Sequence, residues 1–163
     1  MNKVFFRTEE VSLPSWAKQA EAFIKKVLKI LGHKNWEVSV LFCDNKYIKS
    51  LNAQYRGKNE PTDVLSFAQG EPAAEARESR GSPPESATGT GRYMAGDIVL
   101  SLDALEENVR FFKVPADEEL RRLLVHAVLH LSGEDHATNN AEEPMLQHQE
   151  EILACLAAER IGE

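Results

Sequence analysis

The sequence predicts an α/β (α+β) fold: a single domain in which a mixed sheet of about four strands is packed with helices. Three observations carry this expectation. Strand-like and helical patterns follow one another in the order β-α-β-α-β, then an insertion, then β-α-α-α. The chain has 163 residues, enough for one domain with a core of its own. From Leu123 to Leu131 every residue is apolar except His126 and His130. Such a run belongs to a helix buried nearly all round, which places it against the sheet.

Taken in order, Lys3 to Thr8 is short, β-prone and bounded by polar residues, a first strand. Pro14 sits in the first turn of a helix that runs to about Leu31 and is stopped by Gly32. Trp16, Ala20, Phe23, Ile24, Val27, Leu28 and Leu31 recur at helical spacing along it. Lys18, Lys25, Lys26 and Lys29 fall mostly outside that stripe. Trp36 to Phe42 alternates apolar and polar and then turns wholly apolar, the clearest strand in the chain. Asp44 caps a helix through Ile48, Leu51 and Tyr55 that ends near Gly57. A polar turn from Arg56 to Asp63 leads into the short strand Val64 to Phe67.

Residues 69–92 dissolve into Gly, Pro, Ser, Ala, Thr and Glu with no apolar anchor. They read as a disordered or loosely ordered insertion within one domain spanning 1–163, not as a second domain. Gly96 to Ser101 is the next strand. Leu102 to Phe112 is helical, with Leu105, Val109 and Phe112 on one side. Asp117, Glu118 and Glu119 open the histidine helix with negative charge suited to its N-terminus. The last helix is expected from Glu142 to about Arg160, with Met145, Ile152, Leu153 and Leu156 as its apolar set and His148 as a surface or packing histidine.

Composition excludes some classes. No run approaches the length of a membrane span, and the N-terminus lacks a charged-then-apolar secretory pattern. Cys43 and Cys155 form no metal or redox spacing and read as reduced, buried thiols of a cytosolic protein. The net charge of −7 is unevenly spread: residues 1–62 carry 11 Lys/Arg against 6 Asp/Glu (+5), and residues 63–163 carry 8 against 20 (−12). An acidic protein with this asymmetry can still present a basic face to nucleic acid.

The chemistry concentrates at His126-Ala-Val-Leu-His130-Leu-Ser-Gly133-Glu-Asp-His136. Two histidines four apart project from one helix face. Ser132-Gly133 breaks the helix, and the turn returns His136 beside them. A His pair at this spacing is more often two satisfied core histidines than a metal site. A third His at a known ligand offset tips the balance toward three neutral imidazoles around one zinc, with a fourth position open. The spacing is that of the metzincin proteases, which carry Glu directly after the first His as general base. Here that position is Ala127, so peptide hydrolysis loses its base while the metal survives.

A zinc held by three neutral ligands keeps its charge, polarises oxygen and lowers the pKa of bound water to about 7. Arg56 is the candidate for gripping an anionic oxygen, because guanidinium binds phosphate bidentately and stays charged. Within the polar turn, Lys58 is a second candidate contact to substrate. In RNA the adjacent 2′-OH is an internal nucleophile, so metal plus arginine could suffice. Asp135 or Glu134 is an alternative base, though each reads more readily as a partner of the histidines or a solvated acid.

At these residues the chain resembles the YbeY endoribonucleases, bacterial rRNA maturation factors. The resemblance rests on Leu51-Asn-Ala-Gln-Tyr-Arg-Gly-Lys-Asn-Glu-Pro-Thr-Asp-Val-Leu-Ser-Phe67, on the stretch His126 to His136, and on Gly96-Asp97-Ile98 before a strand. It covers nearly the whole chain outside 69–92. It implies that His126, His130 and His136 are zinc ligands, one ion per chain, and that Arg56 is the important arginine of the cleft. It also implies cytoplasmic, single-strand-specific RNA cleavage in 16S rRNA 3′-end maturation and ribosome quality control. The implied partners are single-stranded RNA, 16S rRNA, ribosomal particles and ribosomal or assembly proteins, with no membrane. The family usually carries Gly at position 127 and Tyr at 134, where this chain has Ala and Glu. Two other readings stand beside this one: a ribosome-assembly binding factor with a structural zinc, and a metal-dependent hydrolase of another substrate.

Overall fold

The computed structural model describes residues 1–68 and 93–162. The insertion expected at 69–92 lies outside the described residues. Among these, four strands form one sheet: β1 (Lys3–Glu9), β2 (Trp36–Cys43), β3 (Val64–Ala68) and β4 (Tyr93–Ser101), in the spatial order β1-β2-β4-β3. β1 and β4 run parallel to β2, while β3 pairs antiparallel with β4 at the sheet's edge. The mixed sheet is as expected. Central β2 loses its polar alternation toward its end because helices cover both faces there.

Five helices surround the sheet: α1 (Ala17–Ile30), α2 (Asn45–Arg56), α3 (Leu102–Phe112), α4 (Ala116–Leu131) and α5 (Pro144–Cys155). The larger core gathers Phe23, Ile24 and Leu28 of α1, Leu124 and Val128 of α4, and Met145 and Ile152 of α5 against one side. A smaller cluster puts Ile48 of α2 against Leu41, Leu65, Phe67 and Val99. The element order and the placing of the histidine helix on the sheet are as the sequence predicts.

Local chemistry sets most boundaries. The Asp44 carboxylate accepts from the Tyr47 amide at 2.9 Å, capping α2, and Gly57 at φ 72° closes it. Pro14, expected inside α1, instead stands ahead of it, its carbonyl accepting from Ala17 N at 3.1 Å. Two of the four lysines of the expected basic face are ion-paired, Lys25 with Glu21 and Lys26 with Glu159.

Three more expectations need correction. α5 spans Pro144–Cys155, not Glu142 to Arg160: Pro144 occupies its first turn, and the tail folds back so that the Ile161 amide donates to Asp117 at 2.6 Å. Asp117, Glu118 and Glu119 do stand in the first turn of α4, as expected, with Asp117 and Glu119 also buried there. Asp117 pairs with Arg121, and Glu119 accepts from Asn108. Phe112 leaves the apolar side of α3, 57% exposed, because that end of the helix overhangs the core. Cys155 is exposed, while Cys43 is buried, its thiol pushed up to about 12 by burial and by the neighbouring Asp44 charge.

Candidate metal centre

α4 is buried on almost every side, leaving an open stripe at its C-terminal end. There His126 and His130 stand one turn apart, ring centroids 4.7 Å from each other. The helix stops at Ser132. Gly133 takes φ 95°, which a side chain would strain, and the Glu134 amide bonds back to the Leu129 carbonyl at 3.0 Å. This reversal carries His136 to within 5.1 Å of the His126 ring and 5.5 Å of the His130 ring, centroid to centroid. One ligand nitrogen from each of the three lies within 4.8 Å of the others.

The outer nitrogens decide which way these rings face. His126 Nδ1 meets the Gln149 side-chain oxygen at 2.8 Å, and His136 Nδ1 meets the Thr138 carbonyl at 2.8 Å. Both oxygens only accept, so both Nδ1 atoms carry their protons and both Nε2 lone pairs are left free. His126 Nε2 and His130 Nε2 face each other at 3.2 Å. Two ligands of a tetrahedral zinc at roughly 2.0–2.1 Å stand about 3.3–3.4 Å apart. The donor set therefore fits a divalent cation. Burial holds the pKa values of His126 and His130 below the ordinary imidazole value, and for His130 the adjacent His126 adds to it. Both rings are thereby kept in the neutral form that ligates.

A cleft of about 580 Å³ opens in front of this triad, and Arg56, Ser66, His126, His130, Glu134 and Asp135 are among its lining residues. Arg56 reaches it from the last turn of α2. Its Nη2 donates to the Ser66 carbonyl at 2.8 Å, and the guanidinium lies 4.8 Å from the centroid of the Phe67 ring. The structure thus brings Arg56 to the same cleft as His126 and His130. Lys58 is exposed and is not among the described residues lining the cleft.

Two residues went unrecognised in the sequence. Gln149, 6% exposed, orients His126; its polar side chain on the Met145–Ile152 buried stripe was the available signal. His148, expected only at the surface or in packing, holds Glu134 at 2.8 Å and so ties α5 to the histidine turn. Asp135 accepts from the His136 amide at 2.8 Å and lies 3.9 Å from His130 Nδ1.

A model of the family described as Endoribonuclease YbeY matches residues 3–157 of this chain. The chain belongs to that family. A YbeY endoribonuclease of Treponema denticola is 49% identical over 135 residues, 83% of this chain and 80% of the relative. The Treponema pallidum protein of the same name is 40% identical over 154 residues, 94% and 89% of the two chains. That of Borreliella burgdorferi is 42% identical over 132 residues, 80% and 81%. A solution structure of a Thermotoga maritima protein matches with a TM-score of 0.53 at 24% identity, covering 95% of this chain and 90% of that one, a likeness of fold. Like the sequence, the described part of this YbeY-family chain has no helix long and apolar enough to cross a membrane.

Proposed function

We propose that this chain is a zinc-dependent endoribonuclease that cleaves single-stranded RNA in the cytoplasm, in the setting of 16S rRNA 3′-end maturation and ribosome quality control. The observation that carries the reading is the convergence of three imidazole nitrogens within 4.8 Å, two of their rings, His126 and His130, lining a cleft that Arg56 also lines. Membership of the endoribonuclease YbeY family supports the RNA substrate. Nitrogen-only ligation in an open, three-coordinate arrangement favours zinc over harder cations.

His126, His130 and His136 would hold the ion, one per chain. When bound, it supplies Lewis acidity and lowers the pKa of water to about 7. Arg56 is the catalytic cation of the protein itself: the Ser66 carbonyl tethers its guanidinium, which would meet the charge that develops on a phosphodiester. The tether limits its rotamers, so less freedom is lost when the anion arrives. Lys58, two residues beyond Arg56 and exposed, supplies an outer contact to the RNA backbone. Ribosomal particles and their proteins are the partners this reading implies.

The test joins metal analysis to an RNA assay. Wild type should carry one zinc per chain and cut single-stranded RNA. His130→Ala should lose metal and cleavage together, whereas Arg56→Ala should keep the metal and lose cleavage. If metal-loaded and metal-free protein leave single-stranded RNA equally intact, the enzyme assignment is wrong. Ribosome association that survives Arg56→Ala under that outcome identifies an assembly factor with a structural ion.

A further inference from the structure

The register of β3 exposes a backbone donor that the site described above does not use. Val64 pairs with Leu100 and Ser66 with Ile98, and one step further along the same register the Ser101 amide donates to the Asp63 carbonyl at 3.0 Å. Antiparallel pairs alternate, so residues 63, 65 and 67 exchange hydrogen bonds with β4, and 64, 66 and 68 point theirs off the free edge. Two observations agree with that parity. The Val64 amide donates to the Asp63 carboxylate at 2.8 Å, and the Ser66 carbonyl accepts from Arg56. The Ser66 amide shares that outward direction. Among the described residues no side chain accepts from it, while the Ser66 hydroxyl is engaged elsewhere, donating to the Ala127 carbonyl at 3.2 Å.

We infer that the Ser66 amide, beside the Arg56 guanidinium on the cleft edge of β3, is a donor to a backbone phosphate of the bound single strand. This rests on the endoribonuclease reading and adds a specific contact to it. An open N–H on a strand edge takes either an added peptide strand or an anion. A peptide ladder needs consecutive outward groups, and on β3 the Val64 amide and the Ser66 carbonyl are already taken. An anion needs one donor and a nearby positive charge, and both are present. A phosphate oxygen there gains a hydrogen bond from Ser66 and charge attraction from Arg56. The Ser66 hydroxyl bond to Ala127 ties the donor to α4 next to His126, which fixes it relative to the reacting centre.

The deciding experiment uses the metal-loaded full chain and an uncleavable 2′-O-methyl octanucleotide. Titration of 15N-labelled wild type should move the Ser66 amide proton downfield; a resonance that stays put at saturation overturns the proposal. Affinities of Ser66→Pro and Ser66→Ala should differ about tenfold, or 1.4 kcal/mol, because both lose the hydroxyl and only proline loses the N–H. Proline is tolerated on the open side of an edge strand. Equal affinities in two folded variants overturn the assignment, and if Ser66→Pro does not fold the wild-type resonance still decides. An octapeptide that moves the resonance when RNA does not would make the edge a peptide site instead. If wild type cleaves RNA and the Ser66 tests fail, only this contact falls. If wild type neither binds nor cleaves RNA, the functional reading falls and takes the contact with it.

Discussion

Gln149→Leu removes the group that, among the described residues, faces the outer nitrogen of His126, and its effect can be worked from the geometry. The amide oxygen lies 2.8 Å from His126 Nδ1 in a pocket where Gln149 is 6% exposed. Leucine fills similar volume but leaves Nδ1–H without an acceptor, and the ring then has no reason to keep its proton on that side. With the proton on Nε2 the ligand lone pair points away from His130 and His136. A hydrogen bond to a group that becomes charged or metal-bound contributes roughly 1.5–3 kcal/mol. At 1.4 kcal/mol per decade that is a loss of about 10- to 100-fold in metal affinity, the range typical of such outer partners. Competition with a chromogenic chelator measures it directly, with the circular dichroism of the metal-free protein as the check on folding. Gln149→Glu should move the other way, a carboxylate being the stronger acceptor. Metal affinity of Gln149→Leu within about threefold of wild type would refute the orientation reasoning, since the hydrogen bond would then carry almost none of the binding.

Glu119 sets a pH dependence remote from the histidine centre. Burial, together with the charge of Asp63, raises its pKa above the ordinary 4.5 against the lowering effect of the Asn108 hydrogen bond. A raised carboxyl binds more protons folded than unfolded, so its contribution is complete below pH 4.5 and is lost as pH rises through the folded value. Glu119→Gln keeps an acceptor for Asn108 and never charges. Its Tm should exceed that of wild type at pH 7 and converge with it below pH 4.5; a Tm at or below wild type at pH 7 contradicts this. Gly96→Ala tests the β3–β4 contact. At φ 139° an added Cβ would meet the Phe67 carbonyl oxygen at 2.1 Å and the Ala68 Cα at 2.9 Å, both backbone atoms that cannot step aside. A loss of about 3 kcal/mol or more in urea unfolding is expected, and an unchanged midpoint would show that the strands separate freely there.

Features written in near neighbours were legible. The His126–His130 spacing, the Gly133 break, the Asp44 cap and the closure at Gly57 each depend on residues within a few positions, and each appears where the residue pattern puts it. Arg56 was nominated by its chemistry and by the family resemblance, and the fold supplies what neither could, a tether 10 residues downstream at Ser66. Partners far apart in sequence were invisible. Gln149 lies 23 positions from His126 and His148 lies 14 from Glu134, and nothing in local periodicity joins them. The end of α5 was misplaced for the same reason. Apolar spacing continues past Cys155, but the tail is drawn back by Asp117, 44 positions away from Ile161. Phe112 and Cys155 show the limit of face assignment: a periodic position is buried only where another element reaches it.

The acidic balance of the histidine half need not conflict with an RNA substrate once the charges are placed. Position 127, where a metzincin carries its base, is fully buried, and its carbonyl accepts the Ser66 hydroxyl. That part of α4 is sealed against β3, and the acids lining the described cleft, Glu134 and Asp135, come from the turn beyond it. Each has one oxygen already engaged, Glu134 by His148 and Asp135 by the His136 amide. Arg56 and the outward Ser66 amide sit on the strand side of the same cleft. A phosphate entering it is attracted on that side and repelled on the turn side. On the reading proposed above, this would turn the phosphates of a single strand toward Arg56 and away from the acids. On that reading the negative charge near the centre sets direction, while the attraction comes from the opposite wall and from the cation the histidines would hold.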